Sequence, residues 1–141
     1  MKRTGSAHWQ GNLNDGKGTV STPSGALKET PYSFKARFET ENGTNPEELI
    51  AAAHAGCFTM ALSLFLGNAG FTPESLDTVA EVSLDQVKSA WAVTAIKLTL
   101  KAKVPGIEEA KFQELAAFAK ANCPISKLLD APITLEASLA A

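Results

Sequence analysis

The sequence predicts an α+β fold: a mostly antiparallel sheet with a long central buried helix. Three observations carry this. Alternating apolar and polar segments, the pattern of half-buried strands, occur near the start, after the middle and at the end of the chain. An apolar run from Leu49 to Leu66 follows a helix-start signal. An amphipathic stretch, "GIEEAKFQELAAFAKAN", and the short "CPISKLLD" supply two further helices. Strands, helix, two strands, two helices, strand is the order of an α+β chain.

The elements are justified in turn. "RTGSAHW" reads as a first strand, and "NDGKG" as a hairpin turn, since Asp-Gly suits positive φ. "TVSTPSGAL" is a weaker strand, broken at Pro23 and Gly25. "YSFKARFE" alternates, with Tyr32, Phe34, Ala36 and Phe38 on one side and Ser33, Lys35, Arg37 and Glu39 on the other, so it is expected as a strand. Asn45 then makes a good N-cap, Pro46 fits the first helical position and Glu48 completes an acidic cap pattern. Gly67 or Gly70 can end that helix. "TVAEVSLDQVK" and "AWAVTAIKLTLKAKV" read as a hairpin joined near Lys88 to Ala90. Ile96, Leu98, Leu100 and Ala102 share one face of its second strand. "PITLEASL" closes the chain as a strand.

Length and composition narrow the function. The 141 residues suit one domain, residues 1–141, large enough to bury a core. A net charge of −2 without charge blocks argues against nucleic-acid or anionic-membrane partners. The start, "MKRTGSAHWQ", lacks the apolar segment of a secretory signal. Two cysteines are few for a secreted disulfide scaffold, so a reducing cytoplasmic setting is expected. The apolar run is close to membrane-spanning length, but His54, Gly56, Thr59 and Ser63 interrupt it and its flanks are acidic. A helix apolar on all sides is more often enclosed by protein. One sheet covers only one side of it, which points to a homodimer with the helix at the interface.

The candidate site residues each admit a plain reading. Cys57, mid-helix, can be a small packing hydrophobe. Cys123 precedes a proline, so it belongs at the N-cap of "PISKLL", where the helix end favours thiolate. By these local features Cys123 is the more acidic thiol. His54 shares a helix face with Cys57. It can be a core histidine with a hydrogen-bonded ring, part of a Cys-His nucleophile, or a ligand with Cys57, Cys123 and His8; the spacing matches no zinc module, and no metal is expected. Arg37 is one of only two arginines and can clamp a carboxylate or thiolate, or simply face solvent. Glu47 and Glu48 suit the helix start by the dipole alone. Glu47 lies roughly 15 Å from Cys57 along a straight helix. Any site the two share therefore needs a bridging arginine, a partner subunit, or both.

"GTNPEELIAAAHAGCF" with a downstream "CP", together with "AHWQG", "GKGTVSTPSG", "AGFTPESLDT" and "VPGI", resembles the osmotically inducible protein C and organic hydroperoxide resistance family, in its osmotically inducible branch. The resemblance spans nearly the whole chain. It implies an intertwined α+β homodimer with sites at the subunit interface. It also implies a thiol peroxidase that reduces organic hydroperoxides and, more weakly, hydrogen peroxide, with no cofactor. By position it implies that Cys57 attacks the peroxide, Cys123 resolves, Arg37 stabilises the thiolate and Glu47 orients Arg37. The resemblance assigns no role to His54. It reverses the local ranking of the two thiols. An external dithiol is the implied reductant, and in the sister branch it is a lipoylated protein. Phe34, Phe38, Phe58 and Met60 are the apolar residues expected to suit an alkyl group. The competing classes are a Cys-His hydrolase or acyl transferase, and a non-enzymatic dimeric stress or ligand-binding protein.

Overall fold

The computed structural model describes residues 1–141. They divide into two compact units, Met1–Leu49 and Ile50–Ala141.

The first unit is a three-stranded antiparallel sheet, β1 (Ser6–Gln10), β2 (Lys17–Ser21) and β3 (Thr30–Tyr32), followed by α1 (Phe34–Phe38). β1 and β2 form the expected hairpin, but its positive φ falls at Gly11, at 91°, and not in the Asp15-Gly16 pair that the sequence points to. Gly18 lies where a β-carbon would come within 2.4 Å of the Tyr32 ring and 2.6 Å of the Trp9 ring, so this crossing requires glycine. β3 contains Pro31 and is an edge strand, where a missing N–H is tolerated.

α1 corrects the sequence reading. "YSFKARFE" is a strand only to Tyr32; Phe34–Phe38 is helical. Ser33 caps this helix, its Oγ accepting from the Ala36 N–H at 3.0 Å and donating to Glu41 Oε2 at 2.6 Å. Phe34 and Phe38 are four apart, a spacing that fits both a strand face and a helix face. As helical neighbours their rings sit 4.8 Å apart between centroids.

The long helix α2 (Pro46–Asn68) starts in the first unit, as the cap chemistry requires. Asn45 Oδ1 accepts from the Glu48 N–H at 2.7 Å. It ends in a Schellman motif: Phe71 N–H donates to Leu66 O and Gly70 N–H to Gly67 O, with Gly70 at φ 91°. Gly70, of the two glycines considered, is therefore the stop.

The second unit carries a sheet in the order β4–β5–β6: β4 (Ser75–Val87), β5 (Ala90–Lys103) and β6 (Ile133–Leu139). β4 and β5 are the expected hairpin. Lys88 and Ser89 take φ 49° and 67°, the left-handed pair of a two-residue turn. β6 pairs with β5 in parallel, because α3 (Glu109–Asn122) and α4 (Pro124–Leu128) carry the chain back between them. The sheet is thus mixed, with its longer ladder antiparallel.

The core joins Phe58, Leu62 and Leu66 of α2, Leu98, Leu100 and Ala102 of β5, and Phe112, Ala116 and Ala119 of α3. Each fully buried Phe or Leu contributes about 2 kcal/mol by leaving water. α2 is long and apolar enough to cross a membrane by length and composition. However, His54, Phe58, Leu62 and Leu66 form one buried stripe, while Met60 and Leu64 on other faces are 75% and 58% exposed. Within one chain the helix is therefore covered on one side only.

Candidate active site

Four of the singled-out residues meet as two pairs, one in each unit. In the first unit Arg37, in α1 rather than on a strand, clamps Glu47 at the start of α2. Its Nη2 donates to Oε1 at 2.6 Å and its Nε to both carboxylate oxygens at 3.2 Å. The planar fork fixes the guanidinium direction, which a lysine could not do. The Arg37 Cζ lies 5.4 Å from the Phe38 ring centroid. Phe34, Phe38, Arg37, Trp9, Tyr32 and Pro46 are among the walls of a small cleft of about 70 Å³.

In the second unit the two cysteines meet. Both are free thiols. Cys57, on α2, is half-buried, and Cys123 is fully buried between α3 and α4. Cys123 closes α3 and caps α4, as the following proline predicts. Its backbone is extended, at φ −65° and ψ 140°, and its Sγ accepts from the Ser126 N–H at 3.4 Å. The Cys57 thiol lies close enough to the Cys123 side chain and the Ile125 backbone amide for both to act on its proton affinity. Burial pushes the Cys57 thiol up; the Ile125 amide pulls it down, and the Cys123 side chain adds to the rise.

His54 lies one turn before Cys57 and is fully buried. Its Nε2 is 2.7 Å from Ser126 Oγ, while Nδ1 is buried without a partner. The imidazole is thus bound to Ser126, not to Cys57. No group of three or more His, Cys, Asp or Glu side chains is gathered to hold a metal ion. Phe58, expected to face a substrate, is instead fully buried in the core, and Met60 is exposed. Ser126 was not singled out by the sequence. The signal was available: it stands three residues after the capping Cys123, where a cap meets the helix.

Burial holds the His54 imidazole below its ordinary value of 6.5. Between that value and the lowered one, the unfolded chain binds a proton that the folded chain does not. The stability from neutral His54 is therefore complete above about pH 6.5 and lost as pH falls through this window. Urea midpoints at about pH 7.5 and about pH 5.5 should differ more for wild type than for His54→Gln; equal differences would contradict this.

Two three-stranded sheets, one long helix and two shorter helices after the second sheet's hairpin give an α+β fold shared with solved OsmC-like and organic hydroperoxide resistance proteins. The chain belongs to the OsmC family, whose description, OsmC-like protein, matches residues 39–138. It is 57% identical to the peroxiredoxin OsmC of Escherichia coli strain K12, over 99% of this chain and 97% of that protein. It is 32% identical to an organic hydroperoxide resistance protein of Xanthomonas axonopodis pv. citri, over 70% and 68% of the two chains. The fold is similar to that of an OsmC-like protein of unknown function from Vibrio cholerae, with a TM-score of 0.78, 15% identity and coverage of 98% and 99%. It is also similar to the organic hydroperoxide resistance protein OhrB of Bacillus subtilis, with a TM-score of 0.69, 26% identity and coverage of 97% and 98%.

Proposed function

We propose that this peroxidase reduces organic hydroperoxides, and hydrogen peroxide more weakly, through a Cys57 sulfenic acid and a Cys57–Cys123 disulfide, in oxidative and osmotic stress defence. The observation that carries this is the contact of two free thiols, one half-buried and one fully buried. Relatives named for peroxiredoxin activity and organic hydroperoxide resistance support it.

In the reaction, the Cys57 thiolate attacks the distal peroxide oxygen. The O–O bond breaks, the alkoxide takes a proton and leaves as alcohol, and sulfenic acid remains on Cys57. Cys123 displaces its oxygen as water and closes the disulfide. An external dithiol then exchanges with the disulfide and restores both thiols.

The groups around Cys57 in its own unit raise the thiol's proton affinity more than they lower it. Arg37, held by Glu47, is the cation proposed to reverse this and to polarise the peroxide. The cleft beside Phe34 and Phe38 is proposed to take the alkyl group. The working form is proposed to be a homodimer with its sites between subunits, each chain acting as one domain. Exposed Met60, Leu64 and Phe118 supply an apolar surface for the second copy. A cytoplasmic setting suits thiols that must be re-reduced.

Purified protein with cumene hydroperoxide and a small dithiol should consume the hydroperoxide at a rate that depends on both, and should sediment as a dimer. A protein that leaves the hydroperoxide intact would defeat the peroxidase reading, and a monomer at assay concentration would defeat the shared site.

A further inference from the structure

His54 is a fully buried titratable group one helical turn from Cys57, and the chemistry above does not use it. A leucine or phenylalanine would fill the same space without a desolvated polar ring. His54 instead leaves Nδ1 buried without a partner and spends Nε2 on Ser126, at 2.7 Å. Ser126 Oγ in turn accepts the Cys123 S–H at 3.0 Å. Cys123, Ser126 and His54 are all buried. They form a continuous chain from a thiol, through a hydroxyl, to an imidazole. A hydroxyl in that position can accept one proton while donating another.

We propose that Ser126 and His54 form a proton relay that activates Cys123 as the resolving nucleophile. Ser126 touches the reacting sulfur; His54 is a positioning residue that acts through it. The proposal rests on the two-cysteine reading above.

As closure begins, the Cys123 S–H proton passes to Ser126 Oγ, and the Ser126 hydroxyl proton passes to His54 Nε2. The Cys123 sulfur then gives its electron pair to the Cys57 sulfur. The S–S bond forms, the S–O bond of the sulfenic acid breaks, and the oxygen leaves with that bond's electron pair as hydroxide. The proton held on His54 is given up as hydroxide becomes water, and the imidazole is neutral again. Sulfenic acid plus thiol thus become disulfide plus water, with both sulfurs accounted for. Burial favours the neutral imidazole, which keeps an acceptor ready at neutral pH.

The test times the two steps separately. Reduced protein is mixed with one equivalent of cumene hydroperoxide and quenched rapidly; sulfenic acid is trapped with dimedone, and the disulfide is read by mass spectrometry. His54→Gln keeps a hydrogen-bonding group but has no base. Its sulfenic acid should form within about threefold of the wild-type rate, while disulfide closure slows at least about tenfold. Ser126→Ala, which cuts the chain at its middle, should give the same split. If either variant fails to fold, the other decides. Wild-type closure rates in the folded variants, or equal loss in both steps, would overturn the relay alone. Wild-type protein that forms no sulfenic acid would overturn the two-cysteine reading, and the relay with it.

Discussion

Cys57→Ser is expected to abolish dithiol-dependent reduction of an alkyl hydroperoxide, a fall of about a thousandfold or more. A hydroxyl in place of the thiol has no accessible anion and no sulfenic acid chemistry. The substitution removes one sulfur from a half-buried helical position, so the fold should persist. Cys123→Ser should behave differently. It should still reduce about one equivalent of hydroperoxide and then stall as sulfenic acid under dithiol, because only the second step needs the second sulfur. The contrast separates attack from resolution. Equal behaviour of the two variants would remove the assigned order. Hydroperoxide reduction that survives Cys57→Ser would remove the assigned nucleophile.

The second large effect belongs to Arg37. Its loss as Arg37→Met should slow sulfenic acid formation by about a hundredfold or more, and raise the pH at which Cys57 reacts. The sign follows from charge: burial already disfavours the Cys57 thiolate, and removing the proposed cation disfavours it further. Arg37→Lys should not restore the rate, because one ammonium cannot reproduce the two-point grip on Glu47. Glu47→Gln should cost less, since it loosens the arginine without removing its charge. A plain exposed ion pair predicts instead a small effect on stability, below about 1 kcal/mol, and none on Cys57. Stopped-flow rates with cumene hydroperoxide across pH, together with iodoacetamide labelling of Cys57, distinguish the two.

Much of the architecture was legible because local chemistry and global packing agree. Asn45, Pro46 and Gly70 mark the ends of α2 by backbone requirements that few other residues meet. The alternation in β5 matches its buried face, Ile96 to Ala102. α1 resembles a strand in sequence because five residues hold too few repeats to separate a period of two from one of 3.6. Its deciding signal is the Ser33 cap, which looks like any strand serine until the Ala36 amide is placed against it. The parallel pairing of β6 is a matter of long-range connection that no strand's own pattern encodes.

The candidate residues stand out by type, while their contacts cannot be read from the sequence. Cys123 as a cap follows from Pro124 alone. Arg37 meets Glu47 from a helix, not from the strand that its alternating neighbours suggest. Ser126, 72 positions after His54, joins it to Cys123, and no local spacing reveals such a bridge. That Met60 and Leu64 stay exposed on α2 is likewise visible only once the chain is folded.

The central claim is that Cys57 and Cys123 are one redox pair. Reduced protein treated with one equivalent of cumene hydroperoxide, digested and mapped by mass spectrometry without reductant, tests it directly. The account predicts one equivalent of cumyl alcohol and a single linked peptide joining Cys57 to Cys123 within one chain. Unconsumed hydroperoxide with both cysteines free, or a Cys57 that links to anything other than Cys123, would contradict it.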